Sequence, residues 1–561
     1  MACLLFAFNT FKMNSSTHSL GDTALLEVEQ ALENGNTGKA ESVAAHHLGR
    51  IKSPPARWFY SLAMIYYRYS HYREAAQLFN RAFAHEPDNT LYGIQLVRCF
   101  QLLGFYQKSE SILLTLMQIE PDNSTILFLL AICADQAGDH ARAVCLSDRA
   151  IATNPENAEI KFFKASVLLN SGSPALALQV LDNIADGDQS SPIGTALRSA
   201  ALERAGCYQE ALSILPECTS DSQSYAQMLA YGRAVLHCDD GTVQKAYGKL
   251  KCWASRNESV ISGNQEKSAV AFLLGDLADR CGLYEAAYSY YKDANRFAYP
   301  GEWNRSETIS FVNSCMGYSP NTISGISGAQ KLVFIVGMPR SGSSLLEKLL
   351  VVGGGMSGHG ESANVSRLVR KITDGVVAEY LGTLGQLDQA SVLSLAEQLL
   401  LDYGHAGKTA IHVDKMLFNF QFLPLILKLV TDALVIHIVR DYRDVALSCF
   451  MKPFSGHHPY KRSISDIVFQ YRVQNKIMNR WKQLFPCNII TVCYEELVTS
   501  PSMILPKIED FLGISISHDL DAICKTETNC ATSSYAQVRQ PLYQTSVSRW
   551  RNYEKFMDFE F

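Results

Sequence analysis

The sequence predicts two structural classes in one chain, an all-α repeat solenoid followed by a parallel-sheet α/β domain. The segment EPDN ends at Asn89 and again at Asn123, and the related NPEN ends at Asn157, with 34 residues between successive copies. After residue 330, apolar strand-like runs alternate with helical patterns. A chain of 561 residues is also too long for a single hydrophobic core, which agrees with two or more domains.

The repeated unit predicts a pair of helices. Small residues recur where two helices would touch, as at Ala63 and Ala75, and Gly138 and Gly172 mark inner turns. This spacing resembles that of the tetratricopeptide repeat. We expect the solenoid to span residues 22–301. Its clearest units are 56–89, 90–123, 124–157, 158–191 and 268–301.

A concave face is the surface that such a stack of helices usually offers to a partner. The repeats therefore predict a groove for a protein or peptide. The alternative is a scaffold or oligomerisation arm that binds no separate client. The sequence does not give the oligomeric state.

The second half begins with a change of composition. Residues 314–330 are rich in Ser, Gly and Asn and predict a linker. Residues 331–555 then predict the α/β domain, with strands in LVFIV, TAIHVDK, ALVIHIVRD and NIITVCYEEL. Continuous apolar strands of this kind are typical of a parallel sheet that is covered on both faces.

The stretch VGMPRSGSS, which follows the first strand, is typical of an anion-binding loop. Gly337 and Gly342 allow a close backbone approach, and Arg340 supplies charge within the loop. The loop of nucleotide triphosphatases has Lys where Ser343 stands here. A magnesium-dependent nucleotide-triphosphate kinase or hydrolase is therefore an alternative, as is an ordinary turn without a ligand.

PRSGSS resembles the 5′-phosphosulfate loop of sulfotransferases that use 3′-phosphoadenosine 5′-phosphosulfate. The resemblance implies donor contacts from five consecutive residues: Arg340, Ser341, Gly342, Ser343 and Ser344. IVRDYRDVALS places Arg440 and Ser448 where the family binds the 3′-phosphate, and Tyr494 matches a Tyr near the nucleotide. Alternatively, Arg440 belongs to a solvated salt-bridge cluster with its neighbours Asp441, Arg443 and Asp444.

The C-terminal segment TSSYAQVRQPLYQTSVSRW is similar to that of tyrosylprotein sulfotransferases and of bacterial repeat-containing sulfotransferases. The match implies donor contacts from Ser534 and Arg549. Lys452 is a weaker candidate for the 3′-phosphate.

The same resemblance identifies Glu361 as the catalytic base, with His359 as a competing base. Lys415 matches the residue that stabilises charge on the leaving oxygen, assisted by Ser534. The alternative for Lys415 is a salt bridge with Asp414. That Asp could also end a metal-binding strand of a triphosphatase.

The expected reaction is sulfuryl transfer from 3′-phosphoadenosine 5′-phosphosulfate to a hydroxyl, without a metal because the leaving group is good. Protein tyrosine is the leading acceptor, and a carbohydrate, lipid or small-molecule hydroxyl is an alternative. A repeat adaptor with a catalytically silent domain is a further alternative.

Bulk composition adds limits on partner and compartment. The net charge of −5 gives no support to nucleic acid as the main partner. The 15 Cys form no C-x-x-C pair and predict free thiols in a reducing compartment. The start, MACLLFAFNTFKM, is a weak match to a secretion signal, and no apolar run reaches the ~20 residues of a membrane span. We therefore expect a cytoplasmic protein without a membrane span, and we expect the His457–His458 pair to be a loop rather than a metal site.

Overall fold

The computed structural model divides the chain into two compact units. The first contains Met1–Asn170 and Ala175–Leu197, and the second contains Ser171–Pro174 and Arg198–Phe561. The structure describes residues 20–50, 54–215, 224–259, 261, 263–328, 330–373, 379–404, 411–454, 458–526 and 546–557.

The first unit is built from successive helices. They are α1 (Leu20–Glu33), α2 (Thr37–Arg50), α3 (Ala56–Arg68), α4 (Tyr72–His85), α5 (Thr90–Leu102), α6 (Tyr106–Ile119), α7 (Ser124–Gln136), α8 (His140–Thr153), α9 (Ala158–Asn170), α10 (Pro174–Asp182) and α11 (Asp186–Gln189). The predicted small positions Ala63 and Ala75 are fully buried between helices. Gly138 and Gly172 adopt left-handed φ values of 80° and 78°, as turns inside a helix pair require.

The Asn of the repeated motif has a structural role at the start of a repeat. The Asn123 side chain accepts hydrogen bonds from the backbone N–H groups of Thr125 and Ile126 and so caps α7. Asn157 accepts in the same way from Glu159 and Ile160 before α9. In these two copies the motif therefore ends one repeat and caps the next helix, whereas Asn89 of the first copy makes no side-chain cap hydrogen bond to α5.

The second unit begins with further helices and continues into the α/β domain. The first group is α12 (Pro192–Ala205), α13 (Tyr208–Ser213), α14 (Tyr225–Val235), α15 (Asp240–Arg256), α16 (Asn264–Arg280), α17 (Tyr284–Ala298) and α18 (Ser306–Gly317). The second group is α19 (Ser343–Lys348), α20 (Asn364–Ile372), α21 (Tyr380–Gln386), α22 (Gln389–Gly404), α23 (Leu423–Leu429), α24 (Tyr442–Phe450), α25 (Ile464–Leu484), α26 (Tyr494–Thr499), α27 (Pro501–Leu512) and α28 (Leu520–Lys525).

The sheet of this unit is parallel and has the strand order β2-β3-β1-β4-β5. Its strands are β1 (Lys331–Gly337), β2 (Ser357–Gly358), β3 (Ile411–Asp414), β4 (Leu434–Val439) and β5 (Ile489–Cys493). Along β1, Leu332 and Phe334 face one apolar core, and Val333 and Ile335 face another. The sheet is therefore covered on both faces, as its apolar strands predict.

The segment predicted as a linker, residues 314–330, is partly buried against the α/β domain. Residues 314–317 belong to α18, whose Cys315 is fully buried in a core that also contains Phe334. Further along, Ile326 forms an isolated parallel bridge with Val430. Both ends of the segment therefore contact the α/β domain, while residues 319–322 between them are exposed.

The last helix pair also shares a core with the α/β domain. Tyr291 and Ala287 of α17 lie in one apolar cluster with Val445, Phe450 and Trp550. Among the helices that the structure describes, none is both long and apolar enough to cross a membrane.

Candidate active site

The loop between β1 and α19 has two residues in the left-handed region, Arg340 at φ 67° and Gly342 at φ 97°. A Cβ on Gly342 would lie 2.1 Å from the Tyr494 ring, so the ring packs directly on the loop backbone. A non-glycine residue at positive φ is uncommon and is concentrated at functional sites. The loop therefore has the backbone geometry of a built ligand site.

The two predicted donor motifs meet at this loop, although they are 100 residues apart in sequence. Arg340 Nε donates to Ser448 Oγ at 3.0 Å, and Arg440 Nη1 donates to the Arg340 carbonyl at 3.1 Å. The guanidinium carbon of Arg440 lies 4.6 Å from the centre of the Tyr494 ring. The structure thus brings four predicted donor residues together.

Two polar groups beside the loop are buried without a protein partner. Over the part of the chain that the structure describes, Ser341 Oγ and Arg440 Nε have no hydrogen-bond partner. Leaving a buried donor unsatisfied costs about 1–3 kcal/mol, so native proteins rarely do so without a ligand or water. These two donors fit a site for an anionic group.

Asp444 holds the C-terminal segment next to this site. Its two carboxylate oxygens accept the backbone N–H groups of Ser548 at 2.7 Å and Trp550 at 3.0 Å. Burial raises the pKa of the Asp444 carboxyl. The alternative of a solvated salt-bridge cluster fits Arg443 and Asp441, whose side chains are paired and partly exposed. It is wrong for Asp444, which is buried.

Ser546 brings the same segment onto two donor residues. Its carbonyl accepts a hydrogen bond from Arg440 Nη2, and its hydroxyl lies 2.9 Å from the Tyr494 hydroxyl. The sequence did not point to Ser546, because a single Ser in a polar segment gives no signal of a contact more than a hundred residues away.

The candidate base and the candidate cation form an ion pair at the carboxyl edge of the sheet. Lys415 Nζ lies 2.8 Å from Glu361 Oε1 and 3.8 Å from Glu347 Oε2, and the Lys415 side chain is 1% exposed. Glu361 is 52% exposed and so remains accessible to an acceptor. One buried ammonium therefore serves two carboxylates.

Glu347 is a site residue that the sequence analysis missed. Its Oε1 accepts the Gly360 N–H at 3.1 Å, which fixes the turn before Glu361. Burial raises the pKa of Glu347, while the nearby Lys415 ammonium opposes that rise. The sequence did contain one sign of its role. Glu347 is an acid about one helical turn beyond an anion-binding loop, and such an acid would repel the bound anion unless a cation faced it.

The short strand β2 sets the position of the base. The His359 N–H donates to the Val413 carbonyl at 2.8 Å, and the Lys415 N–H donates to the Gly360 carbonyl at 2.8 Å. His359 Nε2 lies 3.0 Å from His412 Nδ1. Burial, together with His412, lowers the pKa of His359 to about 4. His359 is therefore a weaker proton acceptor than a histidine that acts as the catalytic base needs to be.

Asp414 uses its carboxylate to hold the turn that carries Lys415. Its Oδ2 accepts the Tyr403 hydroxyl, and its Oδ1 accepts the Met416 N–H at 2.7 Å and the Asn419 amide at 3.2 Å. Burial raises the pKa of Asp414 to about 7. A carboxylate committed to three protein donors is a poor match to the metal-binding strand end of a triphosphatase.

The remaining predicted residues lie apart from these contacts or outside the described part of the chain. Arg549 and Lys452 form ion pairs with Asp279 and Asp276 of α16. Ser534 and His457 lie outside the described residues. Within those residues, no cluster of three or more His, Cys, Asp or Glu is placed to hold a metal ion.

Comparison with known families identifies the α/β part. Residues 333–518 match the model of the sulfotransferase family. The C-terminal domain is a sulfotransferase-family domain. This confirms the resemblance drawn from PRSGSS and, with the sheet and the helix pairs, the predicted fold class. The likeness to tyrosylprotein sulfotransferases in particular stays a prediction.

Individual relatives are distant. An uncharacterized protein of Aquifex aeolicus (strain VF5) is 26% identical over an alignment of 316 positions, which covers 52% of this chain and 41% of that protein. The chain thus spans about two fifths of that relative's length.

Two solved structures are each similar to part of the chain. A tetratricopeptide repeat protein from Parabacteroides merdae is 16% identical with a TM-score of 0.37, covering 44% of this chain and 93% of its own. The sulfotransferase domain of the Synechococcus PCC 7002 olefin synthase is 19% identical with a TM-score of 0.29, covering 41% of this chain and 90% of its own.

Proposed function

We propose that this protein transfers a sulfuryl group from 3′-phosphoadenosine 5′-phosphosulfate to a hydroxyl acceptor. The observation that carries the proposal is the meeting of Arg340, Arg440 and Ser448 around a loop with two unsatisfied buried donors. A donor with a phosphosulfate at one end and a separate phosphate at the other suits two arginines from two motifs.

The residues divide between the two ends of the donor. We assign the phosphosulfate end to Arg340 and to the hydroxyls of Ser341, Ser343 and Ser344. We assign the 3′-phosphate end to Arg440 and Ser448, with Tyr494 against the nucleotide. Support comes from the contact of the Arg440 guanidinium with the Tyr494 ring and from the unsatisfied Ser341 and Arg440 groups.

Transfer breaks one sulfur–oxygen bond and forms another. The acceptor oxygen attacks sulfur, the bond from sulfur to the 5′-phosphate oxygen breaks, and the acceptor proton passes to Glu361. The products are a sulfate ester and adenosine 3′,5′-bisphosphate. Lys415 stabilises the negative charge that develops on the leaving oxygen, and Glu347 keeps the Gly360–Glu361 turn in place.

The acceptor is proposed from the chain's organisation. A groove of tetratricopeptide-like repeats suits a polypeptide, so a protein hydroxyl, with tyrosine first, is the acceptor that we favour. The half-exposed Glu361 agrees with a bulky acceptor, because an acceptor on a polypeptide must approach the base from solvent.

Radiolabelled donor mixed with purified protein and a cell lysate tests the reaction and reports whether label enters protein, glycan or lipid. Glu361→Gln should reduce transfer by about 10²–10⁴-fold, because general base catalysis is worth that much, while binding of adenosine 3′,5′-bisphosphate is kept. Glu397→Gln changes an exposed carboxylate on α22 and serves as the matched control.

Each failure has a separate meaning. Wild-type protein that does not bind adenosine 3′,5′-bisphosphate would remove the proposed donor. Wild-type protein that binds it but labels no acceptor would support the silent adaptor instead. Loss of donor binding in Glu361→Gln would contradict its role as the base.

A further inference from the structure

Two carboxylates on the last repeat face cations of the sulfotransferase domain. Asp276 of α16 lies 2.9 Å from Lys452 Nζ, and its Oδ1 also accepts the Tyr291 hydroxyl at 2.9 Å. One helical turn later, Asp279 Oδ2 pairs with Arg549. The side chains of Asp276 and Asp279 are 17% and 12% exposed, so both carboxylates are removed from most of the solvent.

The partners of Asp279 belong to the C-terminal strap, which we define as residues 546–557. Arg549 gives it a charged partner, and the Tyr553 hydroxyl donates to Asp279 Oδ1. The Tyr553 side chain is fully buried in the core shared with α17. A mostly buried carboxylate is costly unless it is paired, so the position of Asp279 depends on both strap residues being in place, and theirs on it.

The strap has a second anchor on the sulfotransferase domain. Asp444 accepts the backbone N–H groups of Ser548 and Trp550, and Arg443 stacks on the Trp550 ring at 3.9 Å. Asp279 on α16 and Asp444 on α24 therefore hold the strap from two different helices. The two anchored stretches overlap, because Arg549 lies between Ser548 and Trp550.

The start of the strap touches the proposed 3′-phosphate end of the donor site. The Ser546 carbonyl accepts from Arg440, and the Ser546 hydroxyl meets the Tyr494 hydroxyl. A shift of the strap would therefore change the hydrogen bonds that fix Arg440 and Tyr494. The link from α16 to the donor site consists of two direct contacts, Asp279 to Arg549 and Ser546 to Arg440, which the strap backbone connects.

We propose that Asp279, a residue of the last repeat, is a positioning residue for the donor, and that it acts through the strap on Arg440 and Tyr494. The proposal rests on the proposed function. It means that the repeats take part in donor binding as well as in partner binding, because their last helix supplies one of the strap's two anchors.

The test uses the full chain with Asp279→Asn, and measures the dissociation constant of adenosine 3′,5′-bisphosphate by calorimetry and the steady-state constants of transfer. We expect donor affinity to fall about tenfold, since a hydrogen bond to a charged group is worth somewhat more than one decade. The kcat should change less than threefold, because the acceptor side keeps Glu361 and Lys415. Asp279→Glu should recover most of the affinity.

A matched control is Asp240 on α15, whose partner Arg280 is on α16, the helix that carries Asp279. Asp240 pairs with Arg280 at 2.6 Å, but the Asp240 side chain is 82% exposed and its partner Arg280 is not part of the strap. Asp240→Asn removes a comparable Asp–Arg pair and should leave donor affinity unchanged, because exposed pairs contribute little.

The outcomes separate the two proposals. Wild-type protein that fails to bind the bisphosphate refutes the proposed function itself. Wild-type binding with equal affinity in Asp279→Asn refutes the positioning role. A fall in kcat that follows the folded fraction, with KM unchanged, shows a structural role only and also refutes it. If Asp279→Asn does not fold, Tyr553→Phe replaces it, and an unchanged donor affinity in that variant overturns the proposal.

Discussion

Replacing Gly342 with Ala tests the geometry of the donor loop more directly than any charge change. Gly342 has a φ of 97°, and a Cβ placed there would lie 2.1 Å from Cδ2 and 2.7 Å from Cε2 of Tyr494. Ala therefore meets two separate penalties at this position. One is the left-handed backbone, and the other is the clash with an aromatic ring that the site uses.

The two penalties can be estimated separately. A left-handed conformation costs an L-residue roughly 1–2 kcal/mol. Ordinary carbon contacts need about 3.5 Å, so the ring must move by more than an ångström, and overpacking of this kind costs roughly 1–3 kcal/mol. The Tyr494 ring carries the Arg440 stack and the Ser546 contact, so its displacement disturbs the donor site as well as the fold.

The assay combines thermal unfolding with calorimetric binding of adenosine 3′,5′-bisphosphate. Gly342→Ala should weaken binding by at least about thirtyfold, which corresponds to roughly 2 kcal/mol. Gly355→Ala is the matched control, because Gly355 has a φ of 65° and no described atom lies within 4 Å of its added Cβ. That control should lower the midpoint of unfolding through backbone strain and leave the affinity within about twofold.

If the two variants bound the bisphosphate equally well, the packing of Tyr494 on the loop would have no part in donor binding. If Gly342→Ala lost only stability, the ring would be a structural support and the assignment of Tyr494 to the nucleotide would fall.

Two further substitutions test buried carboxylates. The pKa of Asp414 is raised to about 7 by burial, so the folded state keeps a proton that the unfolded state releases near pH 4. Stability should therefore fall as pH rises from about 4 to about 7, by an amount on the order of a few kcal/mol, and Asp414→Asn should flatten the unfolding midpoint over that range. An equal slope in the variant would contradict this assignment. Asp444→Asn should raise the donor KM about tenfold with a smaller change in kcat, because its carboxylate accepts two strap N–H groups. Steady-state kinetics with an unchanged donor KM would show that the strap does not act on the donor.

Most of the sheet could be predicted because its strands are continuous apolar runs. β3, β4 and β5 lie within segments that the sequence marked as strands, and β1 is longer than the predicted LVFIV by one residue at each end. β2 could not be predicted, since it consists of Ser357 and Gly358 alone and has no apolar pattern. NIITVCYEEL was predicted as one strand, but β5 ends at Cys493 and Tyr494 begins α26.

The donor loop could be predicted in more detail than the base. The loop is contiguous, so its residue types and spacing carry the information in one short stretch. Glu361 and Lys415 are separated by 54 residues, and their pairing depends on β2 lying beside β3. Glu347, Ser546 and Asp279 were missed for the same reason. Each acts through a partner that is distant in sequence, and a single Asp, Glu or Ser on a helix or in a polar segment gives no local signal.

The contacts of α17 show that the last repeat packs directly on the sulfotransferase domain. The last repeat of a solenoid presents an apolar face that must be covered, usually by a polar capping helix. Here Tyr291 and Ala294 of α17 pack with Phe450 of α24, and the buried Asn295 amide donates to the Phe450 carbonyl at 2.7 Å. The sulfotransferase domain therefore takes the place of a cap, and the same contact brings α16, with Asp279, to the strap. The residues that close the solenoid are the ones that give it access to the donor site, so cutting the chain near residue 330 would remove the cap from the repeats and one of the two anchors from the strap.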